Sequence, residues 1–310
     1  LENLIVLPLA LAIDLAIGEY PRRLHPVVWM GRVISWQLRL AQRKKAKARF
    51  VYGTFIVLLT IALFSVPIYF LLLYLRGVST IAYVVLAAFW LKSAFSLRGL
   101  YQAAKKVKNL LTGRKMKEAR RETGYLVSRD TKNLDRRALT SAVVEMTAES
   151  FNDAIVAPLF YWLLLGVPGA IAYRVVNTFD SRIGYRGQYE YLGKFAARLD
   201  DVLNFIPARI SALILVAVAY LKRIDRAGAW RVMRRDHAKT ESPNAGWTMA
   251  AVAGALGVRL EKAGCYQLGN AARPLVLSSI TAASGLVALS SLLWFAVCLG
   301  ITGVRYAVSA

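Results

Sequence analysis

The stretch "FVYGTFIVLLTIALFSVPIYFLLLYL", residues 50–75, decides the fold class. It runs for 26 residues without a charge. About 20 apolar residues suffice to carry an α-helix across the hydrocarbon core of a bilayer. A second charge-free run covers 275–301, and a third, 78–97, is interrupted only by Lys92. Weaker runs at 154–176 and 203–221 each carry one Arg. The first 18 residues are apolar apart from Glu2 and Asp14, and no cleavage-site pattern follows, so they read as a first membrane segment and not as a signal peptide. The expected fold is all-α: a polytopic helical membrane protein with about five to seven membrane segments. No internal repeat or low-complexity linker appears, so 1–310 reads as one helical membrane domain with cytosolic insertions at about 19–49, 98–153 and 222–274.

Charge sets the orientation. The formal net charge is +23, and no acid occurs between Glu19 and Glu118 while that interval holds 18 Lys or Arg. Cations concentrate at 22–49, 98–137 and 222–239. Lys and Arg favour cytoplasmic loops, which places the three stretches inside a multi-pass cell-membrane protein. The same charge attracts anionic lipid heads and is compatible with a polyanionic substrate. No recognition motif accompanies it, so nucleic acid is not an expected partner. There is no P-loop, no Rossmann turn, and two cysteines, Cys265 and Cys298, make neither a CxxC pair nor a metal cluster.

Residues 98–121 repeat apolar side chains at Leu100, Ala104, Val107 and Leu111, an amphipathic helical period with a cationic opposite face. "SRDTKNLD" breaks it, and Asn133 or Asp135 can cap a helix starting near Arg136. Gly166, Pro168 and Gly169 then fall inside 154–176. A straight span would put 177–202 opposite the basic loops. A helical hairpin would return it to their side, and we favour the hairpin because the acidic sites should face one pool of substrate.

Half of the acids lie between 130 and 201. Glu145, Glu149 and Asp153 are four residues apart and share one helix face at 100° per residue. Like charges so spaced repel, and either Arg or a divalent cation can neutralise them. A second acidic cluster, Asp200 and Asp201 with Asn204, has interleaved arginines, Arg182, Arg186 and Arg209 among them. Oxygen ligands of this kind suit Mg²⁺ shared with phosphates, and Arg matches phosphate oxygens. Ser242-Pro243-Asn244 reads as a helix start, which either serves a helix–helix contact or seats a phosphate. The small residues after Ala250 suit either close helix packing or a ligand on the backbone. His25 and His237 are candidate bases.

These blocks resemble the CobD/CbiB family, the adenosylcobinamide-phosphate synthases of cobalamin biosynthesis. The likeness rests on "HPVVWMG" (25–31), "SRDT" (128–131), Glu145–Glu149 running into "DAIVAPLF" (153–160), "YRVVNTFDSRIGY" (173–185), "ARLDDVLNFIPAR" (197–209), "SPNAGW" (242–247) and "AGALGV" (253–258). It implies an ATP-dependent ligase that joins adenosylcobyric acid to an amino alcohol, (R)-1-amino-2-propanol O-phosphate or a relative, giving adenosylcobinamide phosphate. It implies ATP as co-substrate, Mg²⁺, a corrinoid and an amino-alcohol phosphate as partners, and an active site facing the cytoplasm. A homo-oligomer or contact with other corrin-pathway membrane enzymes is compatible with it. On that reading Glu145, Glu149, Asp153, Asp180 and His237 are the catalytic candidates. Arg129, Asp130, Asn177, Arg182, Tyr185, Arg209, Ser242, Asn244 and His25 are the ligand-binding ones, and Glu145, Glu149, Asp153, Asp200 and Asp201 the metal ligands. A Mg²⁺-dependent membrane prenyltransferase and a non-enzymatic corrin transporter or scaffold are the competing readings.

Overall fold

A computed structural model describes residues 2–40, 46–185, 187 and 189–309. In chain order these form α1 (Glu2–Ile17), α2 (Pro26–Arg39), α3 (Ala46–Val78), α4 (Thr80–Ala94), α5 (Leu97–Thr112), α6 (Met116–Gly124) and α7 (Arg136–Phe151). A π-helical turn (Asn152–Val156) leads to α8 (Ala157–Ile183), α9 (Glu190–Leu203), α10 (Phe205–Leu221) and α11 (Arg226–Asp236). A 3₁₀ turn (His237–Lys239), α12 (Ala245–Leu256), strands β1 (Leu260–Lys262) and β2 (Tyr266–Leu268), and α13 (Leu277–Ser309) complete the chain. The two strands make one short antiparallel hairpin, with Leu260 opposite Leu268.

The protein is all-α and polytopic. Among the described residues four helical stretches are long and apolar enough to cross a bilayer, Ala46–Val78, Thr80–Thr112, Arg136–Ile183 and Leu277–Val308, and α9 with α10 makes a fifth if counted as one broken span. With the broken span counted, the number meets the lower end of the five to seven expected from the sequence. The apolar N-terminal stretch read there as a first span forms α1, which has 16 helical residues. Along α3 large apolar side chains such as Phe55, Leu59, Phe70 and Tyr74 stay exposed, as on a helix apolar on all sides whose solvent is lipid.

The chain groups into two compact units, each discontinuous in sequence. Unit 1 is Leu1–Ser96, Ala157–Asn204 and Phe295–Ala310; unit 2 is Leu97–Val156 and Phe205–Trp294. Because the chain passes several times from one to the other, there is no linker between them for composition to reveal.

In unit 1, α1 packs on α4 around an ion pair, Lys92 Nζ to Asp14 Oδ1 at 3.1 Å, with both side chains shut away from solvent. The lone cation that interrupts the third apolar run thus has a buried acid beside it. In the same unit α8 does not continue straight. Gly166 has φ 68° and ψ −164°, a conformation open to glycine alone. A Cβ on Gly169 would lie 2.7 Å from the Tyr161 carbonyl oxygen. Eight residues of straight helix span about 12 Å, so the chain bends back at Gly166. The Tyr161 and Tyr173 rings, stacked at 5.4 Å, lie on the two arms of that bend. The bend falls at the Gly166–Pro168–Gly169 stretch that the sequence singled out.

In unit 2 the predicted face of α5 is the one that packs: Leu100, Ala104, Val107 and Leu111 are buried. The period ends at Gly113, and a turn separates α5 from α6. Asp135 caps α7, its side chain accepting from the Ala138 N–H at 2.7 Å. Of the two roles open to the small residues of α12, Gly254 takes helix packing. A Cβ there would overlap the Gly228 carbonyl of α11.

Candidate functional site

Unit 2 holds the whole acid stripe, Glu145, Glu149 and Asp153. Glu145, on the buried face of α7, is only 2 % exposed. Its Oε1 accepts from Ser141 Oγ at 2.6 Å. Its Oε2 accepts from Arg129 Nη2 and from the Tyr266 hydroxyl, the latter at 2.7 Å. Arg129 Nη1 also donates to the Glu261 carbonyl at 3.2 Å, and Glu261 N–H donates to Ser141 Oγ at 2.9 Å. One carboxylate therefore fastens the "SRDT" loop and the β-hairpin to α7. Burial, and then the Glu145 charge and hydrogen bond, push the Tyr266 phenol far above its usual pKa, so it remains a donor. Asp130 is an exposed turn residue that accepts from the Lys132 N–H at 3.0 Å.

The rest of the stripe differs. Glu149 is exposed, one turn along α7, and its charge also reaches Tyr266. Asp153 lies beyond the end of α7, in the π-helical turn. The 100° wheel of the sequence reading does not apply there, because i→i+5 bonding widens the turn; such turns are common at functional sites. Asp153 Oδ1 accepts from Asn152 Nδ2 at 2.8 Å, and Asn152 Oδ1 accepts from Ser211 Oγ of α10 at 3.1 Å.

One half-turn before Ser211, the Arg209 guanidinium carbon sits 3.4 Å from the Phe205 ring centroid and 4.8 Å from that of Trp247. Its Nη1 donates to Asn244 Oδ1 at 3.3 Å. The same indole also meets His237, with ring centroids 4.1 Å apart. His237 Nδ1 lies 3.1 Å from the Met233 and Arg234 carbonyls. Carbonyls only accept, so Nδ1 carries its hydrogen and Nε2 is the basic nitrogen. Ser242 Oγ accepts from the Asn244 and Ala245 N–H groups at the start of α12, doing the capping assigned to it, while Asn244 is the residue at the cap position. Arg209, His237, Ser242 and Asn244, of which the first and last are 35 residues apart in sequence, thus meet around Trp247.

The remaining candidates lie in unit 1. Asn177 is buried; its Oδ1 accepts from Arg174 at 3.2 Å and its Nδ2 lies 3.4 Å from Asp200 Oδ1. Asp200 Oδ2 accepts from Asn204 Nδ2 at 2.8 Å, and Asp201 faces Arg198 at 3.9 Å. Asp180, near the end of α8, accepts at its carbonyl from Gly184 N–H. Tyr185 is exposed and donates to the Ser181 carbonyl. Arg182 Nη1 donates to the Gly31 carbonyl and to Ser35 Oγ, both at 2.7 Å. His25 caps α2 through Nδ1 and meets Glu19 Oε2 through Nε2 at 2.7 Å. Burial works against the Glu19 charge, but His25, Ser96 and Lys92 hold its pKa down to about 2. Arg186 lies outside the described residues.

The two acidic clusters therefore belong to different units. Among the described residues no three His, Cys, Asp or Glu side chains converge on a metal position. Mg²⁺ is commonly held by one or two carboxylates, waters and substrate phosphates. The oxygens of Glu145 are taken by Ser141, Arg129 and Tyr266, which argues against Glu145 as a metal ligand. Sequence reasoning missed Ser141, Tyr266 and Trp247. Ser141 sits four residues before Glu145, a readable helical spacing; the other two are brought in only by tertiary packing.

The sequence profile described as CobD/Cbib protein matches residues 7–300. The chain is 50 % identical to the cobalamin biosynthesis protein CobD of Dehalococcoides mccartyi over 97 % of this chain and 98 % of that protein. It is 41 % identical to the probable CobD of Methanothermobacter thermautotrophicus and 40 % identical to that of Pyrococcus abyssi, each over 86 % of both chains. No solved structure matches. With matches of this identity over nearly its whole length, the chain belongs to the CobD/CbiB family.

Proposed function

We propose that this protein acts in cobalamin biosynthesis as an ATP-dependent amide-forming ligase, joining adenosylcobyric acid to an amino-alcohol phosphate at the cytoplasmic membrane face. The names of its relatives support the pathway. The observation that supports the chemistry is the unit 2 patch, where Arg209 and His237 flank Trp247 and the acid stripe stands on the neighbouring helix. A carboxylate does not condense with an amine near neutral pH until one of its oxygens becomes a leaving group, and ATP supplies that activation. Glu149 and Asp153 would hold Mg²⁺, which when bound neutralises phosphate charge. Arg209, desolvated between two rings, stabilises negative charge as it develops. His237, oriented by two backbone carbonyls, accepts the proton of the attacking amine at Nε2. Ser242, by capping the Asn244 and Ala245 N–H groups, holds the start of α12 and with it Asn244 beside Arg209.

Purified protein in detergent with ATP, Mg²⁺, adenosylcobyric acid and aminopropanol phosphate is expected to yield the condensed product by mass spectrometry, one water lighter than the summed substrates. No product, or ATP-independent corrinoid binding alone, overturns the ligase reading in favour of a carrier or scaffold.

A further inference from the structure

Unit 1 holds a concentration of charge that the proposed chemistry does not use. A cleft of about 640 Å³ opens between α2, the turn before it and the last turns of α8. That size is ordinary for a small-molecule site. Arg22 comes from the turn, Arg32, Trp36 and Arg39 from one face of α2, and Arg182 from α8. Among the described residues four guanidinium groups line the cleft, and no carboxylate does. Among the described residues none of the four has an acidic partner. Glu19, which His25 at the cleft rim contacts, is already taken by Ser96 and Lys92 as well.

Arg182 is also fixed in place. Its Nη1 spends its hydrogens on the Gly31 carbonyl and Ser35 Oγ. Both acceptors are neutral, so the guanidinium is positioned without being neutralised. A Cβ on Gly31 would come 3.0 Å from Nη2 and 3.2 Å from Cζ, so the guanidinium lies against a bare Cα. A topology signal needs only cations on a loop. It does not need a cation on α8 held in position against a helix 150 residues away. Like charges gathered in one cleft repel unless an anion joins them, and the planar Arg fork matches phosphate oxygens.

We propose that this cleft binds a phosphate-bearing ligand of several negative charges through its arginines alone, without a divalent cation. The phosphate can come from the triphosphate of a nucleotide, from a phosphorylated amine, or from an anionic lipid head group. The site does not depend on the ligase reading, because the test reads binding and not turnover.

The full-length protein in zwitterionic detergent with EDTA is titrated with inorganic tripolyphosphate by calorimetry. Saturable binding is expected, weakened at least 10-fold in R32Q and in R182Q, weakened in Gly31→Ala, and unchanged in R121Q. Arg32 is exposed and makes no hydrogen bond or ion pair among the described residues, so R32Q keeps the test meaningful if R182Q misfolds. No saturable binding in EDTA, or wild-type affinity in R32Q, overturns the proposal. Competition separates the sources. Displacement by ATP or aminopropanol phosphate in zwitterionic nanodiscs assigns the cleft to a substrate. Displacement by anionic lipid, abolished in R32Q, assigns it to the membrane. Displacement by none of the three marks tripolyphosphate as an adventitious ion only and overturns the proposal.

Discussion

Glu145 in unit 2 and the arginine cleft in unit 1 handle charge in opposite ways. Around Glu145 a carboxylate is removed from solvent, and Arg129, Tyr266 and Ser141 occupy its oxygens. In the cleft four cations border open space and, among the described residues, no acid lines it with them. The first arrangement is closed: its energy depends on every partner being present. The second is open, and its members contribute little to the fold that carries them. A single count of charge, +23, contains both kinds, so composition alone does not separate charge that holds the fold from charge that awaits a ligand.

The largest effect should come from breaking the closed arrangement. Removing one partner of a buried pair costs about 3–5 kcal/mol, because the other charge stays buried and unpaired. E145A is expected to lose stability on that scale, freeing both the "SRDT" loop and the β-hairpin. Y266F removes one hydrogen bond and should cost about 1 kcal/mol. Thermal melting in detergent checks the pair; an E145A variant that melts like wild type would show that the knot is not closed.

Glu149 tests the same helix where it turns outward. E149Q is expected to lower ATP-dependent amide formation about 10²-fold, on the scale of one electrostatic transition-state contact. Its stability should change by less than about 0.5 kcal/mol, as for an exposed site. A stability loss matching that of E145A would make the stripe wholly structural. Full activity would remove Glu149 from the metal site.

How far the sequence could foresee this contrast follows from the range of each interaction. Local features were legible. The buried face of α5, the Asp135 cap and the bend at Gly166 each depend on a few neighbouring residues, and each stands where the pattern put it. The grouping of Arg209, Ser242, Asn244 and His237 was legible as residues but not as a patch, because Trp247 joins them only once α10, α11 and α12 have packed. The stripe was read as uniform, whereas Glu145 is shut in by a hairpin 121 residues away and Asp153 is turned by the π-helical bonds. The division of the two acidic clusters between units left no mark on the sequence, because the chain crosses between the units without a linker.

A second closed charge gives an intermediate effect with a pH signature. Asp236 is fully buried. Burial opposes its charge, but Arg235, Lys239 and the Gly269 N–H hold its pKa down to about 2, from 3.8. A carboxylate depressed in the folded state adds stability that is complete above the unfolded pKa. That stability is lost as pH falls from about 4 through about 2. At about 1.4 kcal/mol per pKa unit the contribution is about 2 kcal/mol. D236N should lose that amount at neutral pH and show a shallower acid limb in a melting series from pH 5 to pH 2. The limb will not be flat, since Glu19 is depressed in the same range. An unchanged limb would mean that Asp236 is not charged in the fold.

The smallest effect is expected where charge is open. Arg32 is exposed and has no ion-pair partner among the described residues. R32Q leaves no partner stranded and relieves repulsion from Arg22, Arg39 and Arg182. Its stability change should lie within about 0.5 kcal/mol of zero, on the stabilising side. At low salt the gain should be largest, since ions screen exposed charges beyond about 10 Å at 0.1 M. Melting curves of wild type and R32Q across a salt series check this: the two should converge as salt rises. A loss of 2 kcal/mol or more in R32Q would mean that the cleft is held shut by its own arginines, and the contrast with Glu145 would collapse into two closed sites.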